Sequence, residues 1–432
     1  MTFRNQTTMD IGLTDHPLRF AITEEMHLRK IPRFNSPATV LQFVMLSGED
    51  GAQCDRQHAE ALCERFAAPQ PRSGKYFTAR LAHLHFVWER HTEVSTYTFI
   101  REGRTESLLD DTLLRDLPAE WVSAMPGTVL RATRVAIVRA EEVSMDELER
   151  HFPPDDVVLC EVEMGRARIC SDFKLHADGF GRLVIIDRGL RGNESARLLQ
   201  RLQELGNYRN MALLGLPVAQ SFSAKLSQFE QDLATLTHKI ASNDTDDGDV
   251  LDEITRHAAE LARITAETNY RMSASRAYAE LCYERLSALR VTSVDGYQTL
   301  TDFTERRFSP AVRTCESFSR RLSDLLQRTL WTSSLLRTRV ETRLEVQSRD
   351  LLSSMNRRTD LQLRLQQTVE GLSVAAISYY VVGLLRYMFE PLEPLIPAWA
   401  PRPLLTITGV VAVILVVWLT VRRIRRHIRV TD

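Results

Sequence analysis

LLTITGVVAVILVVWLTV, Leu404 to Val421, decides the architecture of this chain. The run carries no charge, and at about 1.5 Å of rise per residue it spans about 27 Å as a helix, nearly the thickness of a hydrocarbon core. It reads as a transmembrane helix. Immediately upstream, EPLEPLIPAWAPRP is rich in prolines that can continue neither flanking helix, and its Trp399 suits a membrane interface. That segment reads as a short extracytoplasmic turn. Before it, LSVAAISYYVVGLLRYMF, Leu372 to Phe389, is a second apolar run whose unbroken part stops at Arg386. Arg386 and Tyr387 are placed to snorkel at the far interface. A buried or interfacial helix is the competing reading of this shorter run.

Basic residues crowd the other ends of both runs: Arg357, Arg358 and Arg364 before the first, and Arg422, Arg423, Arg425, Arg426 and Arg429 after the second. The bias of Lys and Arg toward cytoplasmic loops therefore places both termini in the cytoplasm, with the bilayer as the first partner. A pore lined by the first span would use its polar residues Ser373, Ser378 and Tyr380, with Arg386 at the mouth.

The rest of the 432 residues is long enough for two or three domains with cores of their own. A formal net charge of -1 leaves no global field to hold nucleic acid, and none is expected as a partner. The cysteines Cys54, Cys63, Cys160, Cys170, Cys282 and Cys315 are scattered without a C-x-x-C pair and read as reduced thiols, although Cys160 and Cys170 could face each other across a hairpin. The opening MTFRNQTTMDIGLTDHPLRF lacks the apolar core of a cleaved leader, so the body is expected to stay in the cytosol.

An N-terminal extension over 1–36 precedes an α/β domain over 37–191, where short apolar runs alternate with helical stretches and turns. The fold class expected is α+β with a mixed, largely antiparallel sheet of about seven strands. The strands are Thr39 to Leu46, Tyr76 to Val87, Thr92 to Arg101, Thr128 to Arg139, Val157 to Glu163, Ala167 to Lys174 and Arg182 to Asp187. Hairpins are expected at Glu89 to His91, Met164 to Gly165 and Asp178 to Gly181, and helices at Asp55 to Ala67, Leu108 to Asp116 and Ser144 to Arg150. From 192 to 308 the chain turns helical, with helices over Asn193 to Leu214, onward to Ser242, and Asp249 to Arg290. A long stalk helix over 309–371 carries Val312, Cys315, Phe318, Leu322, Leu325, Leu336, Val340, Leu344, Leu351, Met355, Leu365 and Val369 on one stripe. It leads into the span at 372–389, the loop at 390–403, the span at 404–421 and a basic tail at 422–432. A small domain cannot cover such a helix, which needs helical partners from its own chain or from other copies, and a homo-oligomer is expected.

Few motifs point to chemistry. His83 and His85 alternate on one strand face, with Glu89, His91 and Glu93 at or beyond the next turn, so imidazoles and carboxylates could gather around a divalent metal. The same pattern describes the polar side of a half-buried sheet, because Ala82, Leu84, Phe86 and Trp88 fill the other face. No other cofactor is indicated. Asp244, Asp246, Asp247 and Asp249 lack the glycine position and the twelfth-place glutamate of a calcium loop and read as an interhelix turn. Arginines between Arg328 and Arg364 could bind acidic headgroups, or form a salt-bridged face with Glu341, Glu345 and Asp350. Phosphate-cradling loops and nucleophile elbows are absent. Glu161, Glu163, Asp172 and Asp187 lie on neighbouring strands or their ends, where a hydrolase could use paired carboxylates, and alternating exposed acids on sheet strands predict the same pattern without catalysis.

Several stretches resemble a bacterial domain-of-unknown-function family of predicted membrane-anchored proteins, of the DUF3422 type. They are DHPLR at Asp15, EEMHLR at Glu24, HFVWERHTEVSTYTF at His85, LGNYRNMALLGLP at Leu205 and NRRTDLQLRLQQTVEGLSVAAISYYVVGLL at Asn356. The resemblance implies a protein of the inner membrane and carries no known activity. The order of parts is also similar, more remotely, to CorA-type divalent-cation channels, which are homopentamers with a pore lined by the first span. Their Gly-Met-Asn signature is replaced by Arg386-Tyr387-Met388, and a ring of arginines would repel divalent cations. Three functions follow as expectations: an oligomeric ion-transport-related or sensing protein with a regulatory body, a non-conducting scaffold, or a membrane-bound hydrolase.

Overall fold

The computed structural model describes residues 16–19, 22–23, 31–71, 74–104, 107–191, 193–242, 246–389 and 402–428. The chain divides into two compact units, Met1–Ser333 and Ser334–Asp432.

The first unit is built on one mixed sheet. Its opening strand, β1 (Ala38–Leu46, ATVLQFVML), is buried on both faces and mostly apolar, as a strand is when both sides of the sheet are covered. Helix α1 (Ala52–Arg65) follows, then β2 (Tyr76–Leu81), β3 (Leu84–Arg90) and β4 (Val94–Glu102). Short helices α2 (Thr112–Arg115) and α3 (Ala119–Ser123) lead to β5 (Thr128–Arg139), and α4 (Met145–His151) leads to β6 (Val158–Val162), β7 (Ala167–Ser171) and β8 (Gly181–Asp187). Ser144 caps α4 by accepting a hydrogen bond from the Glu147 N–H. The strand order is β2-β3-β4-β1-β5-β8-β7-β6-β9, where β9 is the two-residue Thr292–Ser293. Only β5 and β8 run parallel; the other neighbours are antiparallel.

After the sheet come α5 (Glu194–Leu213), α6 (Gly215–Ser242), α7 (Asp247–Ala288), α8 (Leu300–Arg307) and α9 (Ser309–Phe389). One sheet face, bearing Val40, Val135, Ile137 and Ile185, is covered by α5, by the end of α7 and by Leu300 of α8. The other, bearing Leu41, Phe43, Phe86 and Phe99, is covered by Ala59 and Leu62 of α1 and Trp121 of α3. A separate helical core joins Leu226 and Phe229 of α6, Leu261 and Ile264 of α7, and Phe318, Leu322 and Leu325 of α9.

Among the described residues the sheet thus has nine strands, not the seven expected. The run Tyr76 to Val87 is two strands, because Ala82 takes a left-handed φ of 52° and reverses the chain at His83. No Gly or Asn marks this turn. The strand β9 escapes notice for a different reason: two residues have no periodicity, and only their pairing with Cys160 and Glu161 defines them. The expected helix Leu108 to Asp116 is shorter and is followed by α3 beyond Pro118, while α8 was not anticipated despite its Thr299–Asp302 capping box.

Cys160 and Cys170 are buried free thiols on opposite sheet faces, one against α5 and the other in the cluster under α4. Burial pushes the thiols of Cys63, Cys160 and Cys282 up to about 11 and that of Cys170 up to about 12, and raises Cys315 as well. Only Cys54 is exposed. At pH 8 a native sample should therefore show one rapidly modified thiol and release the rest only on unfolding; fast labelling of two or more would contradict this packing. The native state also holds these protons more tightly than the unfolded chain, so stability should fall as pH rises from about 8.5 toward 11.

In the second unit α9 continues, with every residue from Glu341 to Val369 exposed. It is followed by the separate helix α10 (Arg402–Ile428). Among the described residues one helix is long and apolar enough to cross a membrane, by length and composition; it lies in the stretch Leu300–Met388. The expected second crossing is not matched in the same way, since the described side chains of α10 begin only at Ile407 and end at Arg423. The intervening loop with Trp399, Asp15 of DHPLR, the whole EEMHLR stretch, Asp244, Arg429, and the side chains of Arg425 and Arg426 lie outside the described residues.

Candidate functional site: a cationic cavity on the sheet

The residues expected to gather a metal are dispersed. His83 sits at the β2–β3 turn and meets Asp116 at 3.1 Å, while His85 meets Glu102 at 3.4 Å. His91 lies 3.7 Å from Glu89, and Glu93 is taken by both Nη atoms of Arg271 at 2.9 and 2.6 Å. Among the described residues no group of three or more His, Cys, Asp or Glu side chains is arranged to hold a metal. The turn at Ala82 is the physical reason, because it takes His83 off the strand that carries His85.

The carboxylates considered for hydrolysis are likewise committed elsewhere. Glu161 binds Arg168 and Arg188, Glu163 binds Arg201, Asp172 faces His176, and Asp187 accepts from the N–H groups of Gly189 and Leu190. Asp246 caps α7 by accepting from Gly248 N–H, which makes the acidic stretch a helix start. On α9, Arg349 pairs with Glu345 at i,i+4. Ser373 donates to Val369 O, Ser378 is buried with its hydroxyl unpartnered, and Tyr380 and Arg386 are exposed, as are Arg357, Arg358 and Arg364. Arg422 lies over the Trp418 ring at 4.8 Å and, like Arg423, is exposed.

A site that sequence did not suggest lies where α5 crosses the parallel pair β5 and β8. There a cavity of about 220 Å³ opens between the strands, the Phe173–Leu175 loop after β7, helix α5 and Leu300 at the start of α8. Alternation along β5 turns Arg131 and Thr133 toward the face that also carries Val135 and Ile137. On α5 the buried series Leu198, Leu202, Leu205 continues at helical spacing to Arg209, so a guanidinium occupies an apolar stripe.

The charge balance of this cavity is one-sided. Arg131, Lys174, Arg182 and Arg209 line it, and no carboxylate does. Lys174 and Arg182 reach outward to Asp156 and Asp178 at 2.5 and 3.6 Å. Arg131 is satisfied only by neutral amides, donating to Gln42 Oε1 at 2.9 Å and Asn207 Oδ1 at 3.0 Å. Arg209 lies over the Phe173 ring at 4.6 Å and leaves its Nη1 buried without a partner. Burial and the nearby Arg209 push Arg131 down to about 9, and burial also lowers Arg209. Thr133 Oγ1 is a further buried polar atom without a partner. The cavity contains no nucleophile poised against a base; what it holds is half-buried positive charge and unfilled donors.

Gly206 makes the arrangement fit. A Cβ at this position would stand 2.8 Å from both Cζ and Nη2 of Arg131, so the guanidinium lies flat against the α5 backbone. Gly206→Ala should cost about 1–3 kcal/mol by displacing it. Urea unfolding measures the change, and an unaltered midpoint would show that Arg131 moves freely.

A family model described as a protein of unknown function, DUF3422, matches residues 14–428. The chain belongs to this family. No curated protein matches it, and no solved structure does. In this DUF3422 protein the stretch LGNYRNMALLGLP, quoted above only for its resemblance, supplies Leu205, Gly206, Arg209 and Asn210 to the cavity and Asn207 to hold Arg131. The signal available in sequence was an arginine on the apolar stripe of a helix, one turn after a glycine.

Proposed function

We propose that the chain is a membrane-anchored, homo-oligomeric sensing protein of the bacterial inner membrane. Its body lies in the cytosol and reports its state to the bilayer through α9, in a layout like that of CorA-type channels. The observation that carries this reading is α9 itself. Its early turns are core residues of the body, at Phe318, Leu322 and Leu325, and its last turns are the apolar stretch from Leu372. Between them Leu344, Leu351, Met355, Leu365 and Val369 repeat at helical spacing and stand exposed, which a second helix would relieve. Two spans with both termini inside complete the scheme, α10 being the second.

Arg386 favours a non-conducting member of this layout over a cation pore, since cation filters use carbonyl or carboxylate rings. Carbonate washing of vesicles should leave the protein in the pellet, and mass measurement in detergent should give a defined oligomer. Replacing Leu344, Leu351 and Met355 with glutamate should convert that oligomer to monomer while the body keeps its melting temperature. Release by carbonate, or a wild-type monomer, would end the proposal. Liposome flux with the intact chain and with Arg386→Gly separates the two forms: flux only after the substitution assigns a blocked pore, and none from either assigns a sensor without one.

A further inference from the structure

We propose that the cavity between α5, β5 and β8 binds a small phosphate monoester, with the dianionic phosphate on Arg131 and Arg209 and a short carbon chain against the leucines. The inference is independent of the membrane reading. It rests first on charge: two guanidinium groups in one cavity lack any carboxylate, and a dianion neutralises both where a carboxylate would leave one uncompensated. Guanidinium does not shed its proton at physiological pH, so an anion is what relieves the cavity.

Geometry supplies the second argument. The groups converge from sheet and helix, Arg131 and Thr133 from β5 and Arg209 from α5, so donors approach from more than one side, which suits a tetrahedral oxyanion better than a flat one. The buried Nη1 of Arg209 and Oγ1 of Thr133 have no partner, and each is a donor that a phosphate oxygen would accept from. Size sets the third limit. About 220 Å³ lies below the roughly 300–1,000 Å³ of cavities for drug-sized ligands, which excludes a nucleotide. Leu130, Leu183, Leu202 and Leu205 line the remainder, so the organic part is small and largely apolar. Leu300 also lines the cavity, and Phe303 one turn along α8 stacks on Phe173 at 4.6 Å beneath the Arg209 guanidinium, so a ligand that engages Arg209 acts on the helix leading into α9.

The test uses the full chain in detergent, with propyl phosphate, inorganic phosphate and butyrate as probes, read by titration calorimetry and thermal shift. Propyl phosphate should bind saturably and raise the melting temperature, with inorganic phosphate weaker and butyrate weaker still. Arg209→Met and Arg131→Met should each weaken binding by roughly tenfold to a hundredfold, as loss of a charged hydrogen-bond donor does. Arg209→Met should do so without lowering the ligand-free melting temperature, whereas Arg131→Met also strands the amide oxygens of Gln42 and Asn207 and should melt lower. Thr133→Val keeps shape and volume and should weaken binding several-fold in a folded protein. No binding of the phosphate ester overturns the proposal, as does equal binding by Arg209→Met. Butyrate matching the ester removes the dianion, and inorganic phosphate matching it removes the carbon chain. A ligand-free Arg209→Met that melts well below wild type assigns the arginine to the core instead.

Discussion

Asp55→Ala should destabilise the body by about 3–5 kcal/mol, the cost of leaving one partner of a buried ion pair behind. Asp55 on α1 is fully buried and Arg90 at the end of β3 nearly so. One carboxylate oxygen, Oδ2, accepts from Arg90 Nη1 at 2.8 Å, from Ser47 Oγ at 2.6 Å and from Ser95 Oγ at 2.6 Å. Arg90 Nη2 donates to the carbonyls of Gly48, Glu49 and Thr92, which ties the loop after β1 to the β3–β4 hairpin. Removing the carboxylate strands both a guanidinium and two hydroxyls away from water. Urea unfolding followed by tryptophan fluorescence measures the loss, since Trp88 and Trp121 belong to the core on this side of the sheet. Asp55→Ala with Arg90→Met should recover much of it, because the uncompensated charge is gone. A double variant as unstable as the single would show that the pair does not act as a unit.

Phe99→Ala should cost a similar amount, about 3–5 kcal/mol, from lost transfer energy and the cavity left behind. Phe99 is fully buried on β4, stacks on Phe86 at 5.1 Å and meets the edge of Trp121 at 5.8 Å. These rings join two strands and α3, so relaxation around the void is limited. Leu351→Ala on the exposed part of α9 should change the body's unfolding by less than about 0.5 kcal/mol, as surface substitutions do. Comparable losses at the two positions would mean that folding of the body depends on this stripe of α9.

The pattern of alternation located most of the sheet. β1, β4, β5, β6 and β8 lie within a residue or two of their expected bounds because each alternates or runs apolar over five or more residues. The helical half was equally legible: α5, α6, α7 and α9 carry long apolar stripes. The failures share a cause. At Ala82 a residue that usually avoids φ > 0 makes a turn, and at Thr292–Ser293 a strand exists only through its partner, so local composition held no trace of either.

The candidate site was less legible still. The metal reading assumed that His83 and His85 share a strand, and the turn separates them. The cationic cavity joins residues 130 to 133, 171, 173 to 175, 181 to 183, 202, 205, 206, 209 and 210 with Leu300, and no spacing in the chain announces that meeting. Arg131 and Arg209 look in sequence like two of many arginines. What distinguishes them is that no carboxylate comes within reach, a property of packing alone.

Sequence by itself determined the order of an α/β body, a helical region, a long helix and two apolar stretches, because periodicity and unbroken hydrophobic length are written residue by residue. Tertiary structure decided which arginines lose their counter-ions, which thiols are sealed and which stripe of α9 stays uncovered. Those depend on what burial brings together or keeps apart, and desolvation acts on neighbours in space, whatever their distance along the chain.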